Sequence, residues 1–482
     1  MWKVKSEDIF DYNTGFGSSF ESEALPNVLP LGQNNPQKCA YGLYAEQLSG
    51  TAFTVPRLRN QRSWLYRIRP SVHTGVMKPY EKCHDLNNID KMKSDPNQLR
   101  WNPFDIKNTK TYKQSKGCVD FMDSLTTVAG AGDPSMKEGL AIHNYYATCN
   151  NNNKAFYNSD GDFLIVPQLE SFIMTTEFGK LHVAPGEIVI VPRGIKFKVH
   201  FDLPISLPNE PNSKFTEERC ARGYILEIFS GHFELPNLGP IGANGLANPR
   251  DFKYPKACYE DLELSNNTDS YKILNKFNGE MFYYEQNHSP FDVVGWHGNY
   301  SPYKYDLSNF CTMNSVSFDH PDPSIYTVLT CPSSVEGVAV ADFVIFPPRW
   351  MVMEKTFRPP YYHRNCMSEY MGMIYGKYDA KEGFQPGGAS LHSCMSAHGP
   401  DAATFHKASN AELQPQYFDG GLAFMFETTY CLKLTDFALN TPDRDVKYQD
   451  CWKNIPKYFN SNINNNATNS NATIFTSSPD RK

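Results

Sequence analysis

Residues 363 to 369 read HRNCMSE, so a histidine and a glutamate, both metal-binding residue types, stand six positions apart. To share one ion, an imidazole nitrogen and a carboxylate oxygen must each come within about 2 Å of it. A straight strand would hold them about 20 Å apart at roughly 3.3 Å per residue. A helix turns through about 600° over that span and puts them on different faces. His363 and Glu369 therefore meet only if the chain reverses within 364–368. Two ligands are too few for a transition metal, and PGGASLHSCMSAHGPD (386–401) offers His392 or His398 as a third. Either one completes two histidines and one carboxylate, a set that suits non-haem Fe(II) and leaves positions open for substrate and O2. The plainer alternative is a satisfied core histidine and a surface glutamate.

Such a reversal needs rigid strands around it, and the chain is rich in them. It has 482 residues, 40% apolar and 20% charged, enough for two or three domains with a large core. Aromatic residues make up 14%, with 28 Tyr and 32 Phe, which favours strands over helices. DGDFLIVPQ (160–168), GEIVIVP (186–192) and DFVIFPP (342–348) read as strands. Helices are expected to be few, with YEDLEL near 259 and DAATFHKASNAEL near 401 the best candidates. The alternation in RLRNQRSWLYRIR (57–69) reads as a strand with one polar face rather than an RNA-binding run. A net charge of −6 gives no general attraction for nucleic acid or anionic lipid. No stretch approaches the roughly 18 apolar residues that span a membrane. The N-terminus lacks an apolar signal core, so a cytoplasmic protein with its twelve cysteines reduced is expected. The composition divides the chain at 288/289, and the Asn-rich 459–482 is expected to be a disordered tail.

PGEIVIVPRGIKF (185–197) resembles the second sequence motif of the cupins, small antiparallel β-barrels that often hold a metal. Where that motif usually carries a histidine ligand, this chain has Phe197, and the region upstream offers no histidine partner. The expected fold is mostly β, with two cupin-like barrels: 1–288 without metal and 289–458 with it. His363, Arg364, Asn365, three residues, Glu369, six residues and Gly376 follow the first cupin motif, except that Asn365 replaces its second histidine. Cupin spacing alone leans towards His392 over His398 as the third ligand and does not settle the choice.

A narrower resemblance covers residues 12 to 440. QLSGTAFTVPR, RSWLYRIRPSV, LGPIGANGLANPRDF, FDVVGWHGNYSPYKYDL and TFRPPYYHRNCMSEYMG are similar to homogentisate 1,2-dioxygenases, the ring-cleaving enzymes of tyrosine and phenylalanine breakdown. The resemblance implies Fe(II), with homogentisate and O2 as substrates and maleylacetoacetate as product. It implies iron ligands at His363, Glu369 and His398, with His398 also touching substrate. It further implies a catalytic base at His297, in GWHGN, a substrate contact at Tyr378, in GKYDA, and a hexamer built as a dimer of trimers. Asn365 and His392 are expected to orient the ligands through hydrogen bonds. Ser18, Ala389 and a missing glycine near Glu382 depart from the family pattern and are expected to alter loop detail and not the ligands. The alternatives are another Fe(II) cupin dioxygenase, for example on gentisate, and a non-catalytic two-barrel storage or binding cupin. GFGSSF and GPIGANG fit neither a dinucleotide turn nor a P-loop.

Overall fold

The computed structural model describes residues 8–460 apart from 87, 116, 203–219, 238, 240–241, 243–244, 265–269, 314–325, 352–360 and 379. The Asn-rich segment from 461 lies outside the described residues. At the centre is a nine-stranded antiparallel sheet that includes Glu187–Val191, Asp162–Leu169, Ala221–Ile228 and Glu138–Ala147 as consecutive neighbours. Side chains alternate across a strand, so both faces of this sheet must be apolar if both are covered. They are covered. Leu164, Val166, Ile188 and Ile190 enter one core, and Phe163, Ile165, Val189 and Val191 enter a second. That is why DFLIV and EIVIV read as unbroken apolar runs rather than as alternating ones.

The first core is shared with a six-stranded sheet, ordered Thr327–Pro332, Ala339–Phe346, Gly421–Thr428, Ser368–Gly376, Ala389–His392 and Leu99–Trp101. The last of these comes from far upstream in the sequence. The second core is shared with a seven-stranded sheet and with a four-stranded one made of Phe20–Glu23, Val293–Gly298, Arg62–Arg67 and Tyr44–Ser49. The architecture is mostly β, with large sheets packed around two main cores. Residues 293–298 and 303–306, which the composition assigned to the C-terminal half, pair with strands of the N-terminal sheets.

Phe197, at the position of a cupin ligand, is buried and packs edge-on against Phe156 with ring centroids 5.5 Å apart. Aromatic side chains thus fill that position within the second core. The strand expected within 57–69 forms at Arg62–Arg67, but its polar face is not free of the interior. Arg67 is buried and donates hydrogen bonds to Asp292, Glu177 and Glu46.

Two expectations are corrected. Residues 259–264 form no helix. They run extended beside 287–291, with Glu260 N donating to Phe291 O at 2.7 Å, Leu264 N to Asn287 O at 2.7 Å and Ser289 N to Leu262 O at 3.0 Å. A short helical pattern yields when a neighbouring strand claims its amides. The cysteines are not all free either, since Cys118 and Cys149 are joined in a disulfide with Cα atoms 5.5 Å apart. The Thr148 and Cys149 amides both donate to the Val119 carbonyl, which draws the two segments together. The other ten cysteines are free. No described helix is long and apolar enough to cross a membrane.

Candidate metal centre

Glu369 lies at the start of Ser368–Gly376, between Glu427 on one neighbouring strand and His392 on the other. The next residue, Tyr370, is fully buried and stacks on Phe426, with Trp101 also in contact. Strand alternation then turns Glu369 to the opposite face, where residues 361–365 and 393–398 close over it. Those two segments meet at an antiparallel bridge, His363 N donating to His398 O at 2.9 Å and His398 N to His363 O at 3.0 Å. The bridge sets the two imidazoles side by side, centroids 4.2 Å apart. The required reversal is made at 364–367, where the Met367 amide donates to the Asn365 side-chain oxygen at 3.1 Å.

One nitrogen or oxygen from each of His363, Glu369 and His398 lies within 4.8 Å of the others, a mutual spacing at which one ion can reach all three. Among the described residues this is the one His/Cys/Asp/Glu group so placed. His398 Nε2 is 2.9 Å from Glu369 Oε2, and His363 Nε2 is 3.4 Å from Glu369 Oε1. The second ring nitrogen of each imidazole is already engaged. His363 Nδ1 donates to Tyr361 O at 2.9 Å, and His398 Nδ1 donates to Ser396 O at 3.0 Å. With the proton on Nδ1, each Nε2 turns a lone pair towards the carboxylate. Lone pairs that converge in this way call for a cation between them, and a backbone carbonyl behind each histidine fixes the tautomer. Burial works to raise the Glu369 pKa, yet the two imidazoles against it hold it well below the carboxylate range. His363 is raised, chiefly by its contact with Glu369.

Asn365 reaches the same carboxylate. Its Nδ2 donates to Glu369 Oε1 at 3.1 Å and to Glu427 Oε1 at 2.7 Å, so one amide bridges two acidic groups. His392 stands behind the cluster rather than in it. Its ring stacks parallel on His398 with centroids 4.1 Å apart, and its Nε2 accepts from Tyr448 Oη at 2.9 Å and Lys381 Nζ at 3.3 Å. Its buried Nδ1 has no hydrogen-bond partner among the described residues. Burial, with Lys381 next, holds His392 well below the usual histidine pKa, and burial lowers Lys381 to about 8. Tyr378 is half-buried between Phe346 and Phe384, with ring centroids at 6.1 and 5.9 Å, and lies near Tyr448.

His297 is elsewhere. It sits on Val293–Gly298 in the four-stranded sheet, between Glu21 and Trp64, with Nε2 3.5 Å from the Tyr66 hydroxyl. Burial lowers its pKa, and the charges that act on it are Glu21 and Arg62. Among the described residues no hydrogen bond or ring contact joins it to the cluster. Sequence reasoning missed Glu427, Lys381 and Tyr448. Glu427 was the most accessible of these, being a lone acid in the otherwise apolar GLAFMFET.

Stacked, largely antiparallel sheets, with a two-histidine, one-carboxylate cluster at one end of the six-stranded sheet, define a mostly β protein with a group of side chains that could hold a metal ion. Residues 11–307 match the model of the homogentisate 1,2-dioxygenase N-terminal region, and 308–459 match that of its C-terminal region. The chain is 56% identical over 452 residues to the homogentisate 1,2-dioxygenase of Dictyostelium discoideum, covering 92% of this chain and 97% of that one. It is 53% identical over 461 residues to that of Homo sapiens, covering 95% and 98%. For that of Arabidopsis thaliana the identity is 49% over 478 residues, covering 98% of each. The chain belongs to the homogentisate 1,2-dioxygenase family.

Proposed function

We propose that this chain is an Fe(II)-dependent dioxygenase that opens the ring of homogentisate with O2 to give maleylacetoacetate, in tyrosine and phenylalanine breakdown. The observation that carries the proposal is the convergence of His363, Glu369 and His398 in a chain of this family. The two imidazoles would hold iron through Nε2 and Glu369 through its carboxylate. Bound there, Fe(II) supplies adjacent positions for substrate and O2 and a path for electrons between them.

The chain's own side chains do the remaining work. Asn365 keeps Glu369 turned towards the imidazoles. Tyr378 offers a phenol to the substrate at the Tyr448 side of the cluster, and His398 adds a ring edge beside it. The His297 imidazole, kept neutral near pH 7 by burial, takes the proton from the substrate's ring hydroxyl. It stands on a separate sheet from the cluster, and a second copy of the chain would deliver it in a homo-oligomer such as a dimer of trimers. The cytosol suits a chain with ten free thiols.

Oxygen uptake with homogentisate tests the reading. A chelator should abolish uptake and Fe(II) should restore it, while uptake that persists in metal-depleted protein overturns it. Faster turnover of gentisate than of homogentisate would instead favour a gentisate enzyme.

A further inference from the structure

The face of the four-stranded sheet that carries His297 also carries a groove. His297 pairs with Trp64 on one side and Glu21 on the other, and Trp64 pairs in turn with Gln47. Side chains alternate across a strand, so Arg62, two positions before Trp64, shares that face. Arg62 and Gln47 line an open groove of about 410 Å³ together with Phe53, Val55, Arg57 and Asn60. Sites for small molecules begin at about 300 Å³, so a single substituted ring fits. The apolar wall is bare, with Phe53 79% exposed. The charge is unmatched as well. Arg62 donates to Asn60 Oδ1 at 2.8 Å, and among the described residues neither Arg62 nor Arg57 pairs with a carboxylate.

Homogentisate has the complementary chemistry. Its acetate arm is ortho to the ring hydroxyl that His297 would deprotonate, so the base and a cation for the arm must stand side by side. Arg62 is diagonal to His297 across the strand pair, at about 7–8 Å between Cβ atoms and within reach of a long side chain. A guanidinium fork matches a carboxylate with two parallel N–H donors, and Phe53 offers the ring an aromatic face. Glu21, on the far side of His297, would repel the arm and so directs it towards the arginines. We propose that Arg57 and Arg62 form the carboxylate-binding half of the substrate site, delivered with His297 to the metal cluster of a neighbouring copy, and select hydroquinones with a short anionic arm. The proposal rests on the dioxygenase reading and adds the residues that choose the arm. The neighbouring cluster would close the open side of the groove.

Anaerobic titration calorimetry on the iron-loaded, assembled protein tests this, with homogentisate and its neutral amide, 2,5-dihydroxyphenylacetamide, as probes. The wild type should bind homogentisate about 10- to 100-fold more tightly than the amide, the range for hydrogen bonds to a charged group. Arg57→Met and Arg62→Met should each erode that preference, and the double variant should bring the two affinities together while binding the amide as the wild type does. Arg62→Lys should keep part of the preference, because the charge remains and the fork is lost. Iron content and assembly mass should match the wild type throughout. Variants that weaken both probes equally, fall apart as assemblies, or keep the full preference would overturn the proposal. If the wild type turns over homogentisate but does not prefer it to the amide, the dioxygenase reading stands and the carboxylate site falls. If the wild type neither binds nor turns over homogentisate, that reading falls and takes the proposal with it.

Discussion

Asn365 stands where the cupin pattern has a histidine, and its side chain shows what the replacement does. An imidazole there would add a ligand, whereas the amide instead donates to Glu369 and Glu427 together. Without it, Glu369 and Glu427 lose the amide that joins them. Asn365→Ala should therefore weaken iron binding by about 10- to 100-fold, the range for loss of a ligand's hydrogen-bond partner. Competition with a coloured chelator measures this, and unchanged affinity would remove Asn365 from the site. The choice between His392 and His398 was left open by spacing, because spacing counts residues and the deciding contact is a backbone bridge between distant segments. His392 spends its Nε2 on Tyr448 and Lys381, and His398 turns its Nε2 to Glu369. His398→Ala should lose iron and His392→Ala should retain it, read by metal analysis of the purified proteins. The opposite result would restore the assignment that spacing favoured.

Strands and caps were legible wherever a local pattern also decides the structure. The helix Ala402–Ser409 forms where the sequence places it because Asp401 caps it, Oδ1 accepting from the Thr404 amide at 2.7 Å. The other Asp401 oxygen accepts from the Glu382 amide at 3.0 Å, so the same residue ties the helix to the loop that holds Lys381. Asp401→Ala should cost about 0.5–2 kcal/mol in thermal or denaturant unfolding, while Asp401→Asn should lose less. YEDLEL was misread because its fate depends on residues 287–291, which no window around it contains. The same blindness hid a charge cluster on three strands. Glu227 is buried with His143 and Lys276, its Oε2 2.9 Å from His143 Nε2 and its Oε1 accepting from Lys276 Nζ at 2.9 Å. Burial opposes ionisation there, but Lys276 and then His143 outweigh it and bring the Glu227 pKa from 4.5 to about 2. This carboxylate therefore stabilises the fold fully above 4.5, and the contribution is lost as the pH falls towards 2. Glu227→Gln should destabilise the protein by about 3–5 kcal/mol at neutral pH, because Lys276 keeps its charge with one partner fewer. The gap between variant and wild type should then narrow between pH 4.5 and 2 in equilibrium unfolding, and a gap independent of pH would count against the ionised pairing.

At the scale of the whole molecule, the two halves interlock more than the composition suggests. Leu99–Trp101 completes the C-terminal sheet, and Lys433–Leu434 closes an edge of the nine-stranded one. The strand carrying His297 belongs to the small N-terminal sheet, where Trp296 faces the core and His297 takes the opposite, half-buried side. Glu369 lies at the start of a strand of the six-stranded sheet, which packs on the other core. One chain thus presents a metal cluster in one place and the proposed base in another, and an assembly can bring the base of one copy to the cluster of the next. Complementation separates this arrangement from a self-sufficient chain. His297→Ala and Glu369→Ala homo-oligomers should each be nearly inactive, the first still binding iron and the second not. When the two are co-expressed with different tags and purified through both, some sites in the hybrids combine an intact cluster from one chain with an intact His297 from the other. Those hybrids should recover a substantial part of wild-type oxygen uptake, with iron bound only to the chains that keep Glu369. A hybrid as inactive as its parents would mean that each cluster is served by its own chain's His297, or by no His297 at all.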